Sequence, residues 1–193
     1  MVIGVFGGSF NPVHDGHIAL AREVVAHGLA GKVMMVLSPL NPLKENPGAL
    51  IGDADRMAML RLACEPYPEL EASGIELSMP RPSYTIATLE KLSQLYPADR
   101  FRLVIGADNW DCFTRWRAWQ DILKDYTPIV YPRRGYPMPG AGAPVTSLQA
   151  PLYPVSSTAI RERLASGEPA DGRVPAAVAE YIREKSLYMQ SAQ

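Results

Sequence analysis

Two segments at opposite ends of the chain carry residue types suited to holding phosphate oxygens. Gly7-Gly8-Ser9-Phe10-Asn11-Pro12-Val13-His14-Asp15-Gly16-His17 packs glycines, a proline and two histidines between an apolar run and a helical pattern. Val155-Ser156-Ser157-Thr158-Ala159-Ile160-Arg161 sets three hydroxyls and an arginine at the opening of another helical pattern. Glycine permits positive φ and close backbone approach, so Gly7 and Gly8 are expected in such conformations, with Gly16 leaving room beside the helix start. A helix N-terminus adds unpaired N–H groups and partial positive charge, which attract anions. His14 and His17, three residues apart, add side-chain donors on one turn.

Neither the dinucleotide-binding Gly-x-Gly-x-x-Gly pattern nor the Walker pattern is present here. A protein-held metal would need a third ligand, and only Asp15 stands near the two histidines, so none is expected. His27 reads as an ordinary histidine. Any one hydroxyl of the second segment is explained as a helix N-cap, worth about 1 kcal/mol, but three in a row are not. Arg161 falls on the same helical face as Thr158, and a guanidinium binds phosphate through paired N–H bonds. Arg163 is expected to face solvent. Lys44 closes a proline-stiffened loop, either as a mobile cation for a substrate phosphate or as an ordinary exposed lysine. Thr85 is a candidate N-cap, and Asp108, following Gly106 at a strand end, is set to accept from ribose hydroxyls or to cap a helix.

Together with Arg-Pro-Ser-Tyr-Thr at 81–85, Ile-Gly-Ala-Asp at 105–108 and Phe-Thr-Arg-Trp at 113–116, these segments resemble the nucleotidyltransferase superfamily with His-x-Gly-His and Ser-Ser-Thr-x-Ile-Arg signatures. Within it the chain looks most like bacterial nicotinate (nicotinamide) mononucleotide adenylyltransferases, over nearly its full length. The resemblance implies ATP as co-substrate, held by Gly7, Gly8, Ser9, Phe10, His14, Gly16, His17, Gly106, Asp108, Arg133, Ser156, Ser157, Thr158 and Arg161. His14, His17 and Arg161 are implied as catalytic, with His17 stabilising charge on the reacting phosphoryl group and the hydroxyl–arginine cluster on the leaving pyrophosphate. Ser9, Asn11, Lys44, Tyr84, Thr85, Asp108 and Trp116 are implied at the mononucleotide. Trp116 is chosen over Trp110 and Trp119 to stack on the pyridinium, whose positive charge suits an aromatic face. Mg²⁺ is expected to bridge the phosphates, held by substrate and water. Nicotinate is expected as the preferred form, because segments 81–85 and 113–116 offer no side chain to accept from a carboxamide. The rivals are a phosphopantetheine adenylyltransferase, a cytidylyltransferase and a non-catalytic nucleotide-sensing module.

Apolar strand-type runs alternate with amphipathic stretches along the chain, which predicts a doubly wound α/β fold with a parallel, Rossmann-like sheet. Strands are expected over 1–6, 32–37, 70–77, 102–105, 127–131 and, weakly, 148–152. Helices are expected over 17–30, 53–64 with Asp53 as N-cap, 85–95, around 122–123, from 157, and over 175–185. Ligands in such sheets bind beyond the strands' carboxyl ends, where residues 7–17, 39–44 and 106–108 fall. The 193 residues suit a single domain over 1–193. A net charge of -1 argues against nucleic acid or an anionic membrane as partner. No leader-like or membrane-spanning run is seen, so a cytoplasmic protein is expected, with oligomerisation open. Cys64 and Cys112 lack metal or redox spacing and read as reduced thiols.

Overall fold

The computed structural model describes residues 1–39 and 51–189; Lys44 lies outside them. Segments with no polar alternation must be buried on both faces, and the two most apolar ones, β1 (Val2–Gly8) and β2 (Lys32–Leu37), run side by side inside the sheet. With β3 (Leu70–Ser73), β4 (Arg100–Gly106), β5 (Ile129–Tyr131) and β6 (Thr146–Ser147) they form one sheet in the order β3-β2-β1-β4-β5-β6. Every pair is parallel. The connecting helices are α1 (Asp15–Ala26), α2 (Asp53–Cys64), α3 (Thr85–Leu95), α4 (Ala107–Asp111), α5 (Trp119–Tyr126), α6 (Ser157–Ala165) and α7 (Ala176–Glu184).

Side chains of one strand part to opposite faces. Val33, Met35 and Leu37 pack with Val24 of α1, Leu60 of α2 and Ile182 of α7. Met34 and Val36 pack with Leu89 and Leu92 of α3 and Ile122 of α5. The doubly wound α/β fold expected from the sequence is the one found. Because β1 lies between β2 and β4, the chain winds away from it in both directions, which opens a crevice beyond the carboxyl ends of β1 and β4. No helix among the described residues is long and apolar enough to cross a membrane.

Several boundaries differ from expectation for local reasons. The third strand ends at Ser73 rather than 77, and Ile75–Ser78 forms a 3₁₀ turn that buries Glu76. The first helix starts at Asp15 and ends at Ala26, closed by Gly28 at φ +67° with its N–H on the Val25 carbonyl. Gly52, not Asp53, occupies the N-cap of α2, and the Asp53 carboxylate instead pairs with Arg56 and with Arg81, the latter at 2.8 Å. The last strand is Thr146–Ser147 rather than 148–152, with Leu148 buried directly after it. Both cysteines are free, and burial pushes the Cys64 thiol up to about 12.

Arg56, a charged residue of α2 outside the expected site residues, is fully buried. Its Nη1 donates to the carbonyls of Ser9 and Ser38 at 2.6 and 2.9 Å, and its Nε to that of Ile51 at 3.1 Å. One side chain therefore anchors the exits of β1 and β2 to α2. Arg56→Met would remove these donors from the Ser9, Ser38 and Ile51 carbonyls and this partner from Asp53. It is expected to destabilise the fold by about 3–5 kcal/mol in urea unfolding; a loss below about 1 kcal/mol would contradict this role.

Candidate active site

The turn between β1 and α1 is built differently from the sequence expectation. Neither Gly7 nor Gly8 takes positive φ; Phe10 does, at 41°. Glycine at 8 is required by contact, since a Cβ there would lie 2.9 Å from the Phe10 ring that folds back over it. Phe10 is buried, and its ring meets Phe6 and His17 edge-on at 6.0 and 5.0 Å, so its side chain packs in the core. At Gly7 a Cβ would meet nothing within 4 Å, leaving that backbone open to approach.

His14 occupies the N-cap of α1, and its ring stacks on that of His17 at 3.6 Å. The His14 backbone N–H donates to His17 Nδ1 at 3.2 Å. Because a backbone N–H only donates, Nδ1 is the acceptor, and neutral His17 carries its proton on Nε2. Burial, reinforced by the Arg133 charge, lowers the pKa of His14 to about 4. Its Nδ1 is buried without a hydrogen-bond partner among the described residues.

The second segment closes onto this turn. Ser157 Oγ donates to the Pro12 carbonyl at 2.9 Å, and Arg161 Nη1 to the Asn11 carbonyl at 2.9 Å. Gly16 is glycine for the same reason: a Cβ there would meet Val155 Cγ1 at 2.8 Å. Ser156 is the N-cap of α6, its hydroxyl accepting from the Ala159 N–H at 3.2 Å. Arg161 Nη2 reaches Thr158 Oγ1 at 3.3 Å, so the expected shared helical face is present. The three hydroxyls are not equivalent, because Ser157 spends its only proton on Pro12 while Ser156 and Thr158 act as acceptors in these bonds. Arg163 does not simply face solvent; its Nη1 pairs with Glu168 at 2.7 Å.

Beside the turn, at the crevice between β1 and β4, lies a cavity lined by Gly7, Gly8 and Ser9, by Tyr84, Thr85 and Thr88, and by Asn109 and residues 115–117. Trp116 is the tryptophan in this wall, tilted against Phe113 at 5.4 Å, and its Nε1 is buried without a hydrogen-bond partner among the described residues. Trp110 stacks on Phe113 instead, at 5.3 Å. The Arg117 guanidinium lies 5.0 Å over the Tyr84 ring. Tyr84, not Thr85, holds the N-cap of α3. Segments 81–85 and 113–116 offer no side-chain carboxylate or amide, as expected, but Glu76 and Asn109 from outside them also line the cavity.

Asp108 and Asn11 lie outside this wall. Asp108 sits in α4, where its Oδ1 pairs with Arg133 Nε at 3.4 Å without a well-aligned hydrogen bond. Gly106 makes that possible, since a Cβ there would collide with Asp108 and lie 2.8 Å from Arg133 Cγ. Asn11 is buried, and its Oδ1 accepts from the Tyr188 hydroxyl at 2.9 Å. The site therefore has two parts: an aromatic cavity, and a corner where His14, His17, Arg133, Ser156, Thr158 and Arg161 gather. Among the described residues no group of three or more His, Cys, Asp or Glu is placed to hold a metal ion.

A family model described as cytidylyltransferase-like matches residues 5–163, spanning both signatures. The chain belongs to the cytidylyltransferase-like family. A probable nicotinate-nucleotide adenylyltransferase of Bacteroides thetaiotaomicron is 42% identical over 183 residues, covering 94% of this chain and 90% of the relative. One of Flavobacterium johnsoniae is 34% identical, covering 97% of this chain and 99% of the relative. The nicotinic acid mononucleotide adenylyltransferase of Plasmodium falciparum complexed with NaAD superposes with a TM-score of 0.77 over 97% of both chains. At 15% identity that likeness establishes the fold.

Within this cytidylyltransferase-like site, sequence reasoning missed Arg56, Glu76, Ser83 and Arg117. Charged residues in amphipathic segments read as solvated, and only the proximity of 76 to the 81–85 segment hinted otherwise. The low pKa of His14 has a consequence for stability. Between about pH 4 and 6.5 the unfolded chain binds more protons at this residue than the folded one, so its contribution rises with pH across that window and is lost on acidification. The span corresponds to about 3 kcal/mol. His14→Gln is expected to flatten the decline of the urea midpoint between pH 6.5 and 4; an unchanged slope would contradict the assignment.

Proposed function

We propose that the chain transfers the adenylyl group of ATP to nicotinate mononucleotide, giving nicotinate adenine dinucleotide and pyrophosphate. What carries this reading is the near-full-length match to relatives named probable nicotinate-nucleotide adenylyltransferase. The aromatic cavity beside the histidine turn supports it, because the acceptor's 5′-phosphate, one ribose away from its ring, must reach the α-phosphorus of ATP. The mononucleotide 5′-phosphate attacks the α-phosphorus in line, and pyrophosphate leaves. That nucleophile is already an anion near neutral pH, so no general base is required. The protein's work is positioning two polyanions and offsetting their charge.

In this reading His17 donates its Nε2–H to a non-bridging oxygen of the α-phosphate, with His14 stacked behind it as a neutral support. Arg161, Ser156 and Thr158 receive the β- and γ-phosphates. Gly7, Gly8 and Arg133 border ATP, Ser9 and Asp108 border both nucleotides, and Tyr84, Thr85 and Trp116 hold the pyridine ring. Mg²⁺ arrives on the ATP phosphates as part of the substrate and spreads their charge.

Pyrophosphate release with ATP and Mg²⁺ is expected to be fastest with nicotinate mononucleotide, slower with nicotinamide mononucleotide, and at background with phosphopantetheine. Equal or greater kcat/KM for the nicotinamide form would remove the nicotinate preference, and background rates with both would remove the reading altogether. His17→Ala is expected to lower kcat at least about a hundredfold, since loss of one preorganised donor costs ~2.7–4 kcal/mol at the transition state. A fall below about threefold, with the fold intact by circular dichroism, would take His17 out of the chemistry.

A further inference from the structure

Glu76 is a carboxylate in the cavity wall, 7% exposed, that neither signature predicts. Ser38 Oγ and Ser83 Oγ donate to its Oε2 at 2.7 and 2.8 Å, and Thr88 Oγ1 donates to its Oε1 at 2.7 Å. Three hydroxyls thus converge on the carboxylate, and Thr88 Oγ1 also reaches the Tyr84 carbonyl at the longer distance of 3.4 Å. None of the ion pairs among the described residues includes it. Hydroxyls spread its charge but do not cancel it. Tying three hydroxyl-bearing segments together needs only an acceptor; a carboxylate can add a negative field to the aromatic-walled cavity.

We propose that Glu76 selects a positively charged ring in this cavity. The inference rests on the pyridine-nucleotide reading above and adds the feature of the acceptor that is recognised: the cationic charge of the pyridinium. That charge is spread over the ring carbons, so a fixed carboxylate in the wall favours it without a directional bond. Trp116 Nε1, buried and lacking a hydrogen-bond partner among the described residues, is a donor in the same wall for the ring's acidic substituent.

Nicotinate mononucleotide and its 1,4-dihydro form test this, because they share carboxylate, ribose and phosphate and differ in ring charge. By calorimetry the wild-type protein is expected to bind the pyridinium form at least about tenfold more tightly. Glu76→Gln, close to isosteric, is expected to bring that ratio below about threefold while KM for ATP stays unchanged. Glu76→Asp retains the charge and is expected to keep the preference even where overall affinity falls. Equal binding of the two forms by wild type overturns the proposal, and so does an unchanged ratio in Glu76→Gln; the first result needs no variant to fold. A merely structural role would weaken both forms together and leave the ratio intact. Equal binding accompanied by pyrophosphate release removes the selection and spares adenylyl transfer, whereas a preserved preference without release does the reverse.

Discussion

Two hydrogen bonds to backbone carbonyls join the ends of this chain: Ser157 to Pro12 across 145 positions, and Arg161 to Asn11 across 150. The acceptors are main-chain oxygens, so the bonds fix the path of the turn itself rather than one rotamer. That path sets where α1 starts, which sets the His14–His17 stack and, through the His14 N–H, the nitrogen of His17 that carries its proton. Gly16 is the steric counterpart, admitting Val155 where any side chain would collide. The corner that holds the two histidines and Arg161 is thus assembled only when the last third of the chain has docked against the first turn.

The rest of the fold supplies rigid supports to either side of that junction. Arg56 fastens the turn from beneath, through the Ser9 carbonyl, and fastens the end of β2 through the Ser38 carbonyl. Glu76 gathers Ser38, Ser83 and Thr88, and so couples the end of β2 to the start of α3, where Tyr84 and Thr85 face the cavity. A buried arginine and a buried glutamate therefore hold neighbouring loops, each through several hydrogen bonds. Such buried charges are costly to leave half-satisfied, which makes them sharp probes of local geometry.

The architecture was legible because apolar runs such as 32–37 have no polar face to expose and must lie inside a sheet. The corner was legible because glycine, histidine and hydroxyl clusters at helix starts have few other uses. What sequence could not reveal was how contacts are shared. Gly7 and Gly8 read as conformational freedom, but Gly8 answers to the Phe10 ring and the strained φ falls on Phe10 itself. The hydroxyls of 156–158 read as three equal donors, and only the fold distinguishes the one that binds Pro12. Residue 76 sits in what reads as a continuing strand; the 3₁₀ turn that buries it depends on Ser38 and Thr88, distant in sequence. Arg56 carries helical periodicity and no signal of its buried partners.

Direct in-line transfer at a preassembled corner is the central claim, and the stereochemical course at the α-phosphorus tests it most directly. With a single diastereomer of ATPαS as donor, one displacement delivers the thiophosphate into the dinucleotide with its configuration inverted, and that is the predicted result. Retention would require two displacements and a covalent adenylyl-enzyme, and would contradict the account.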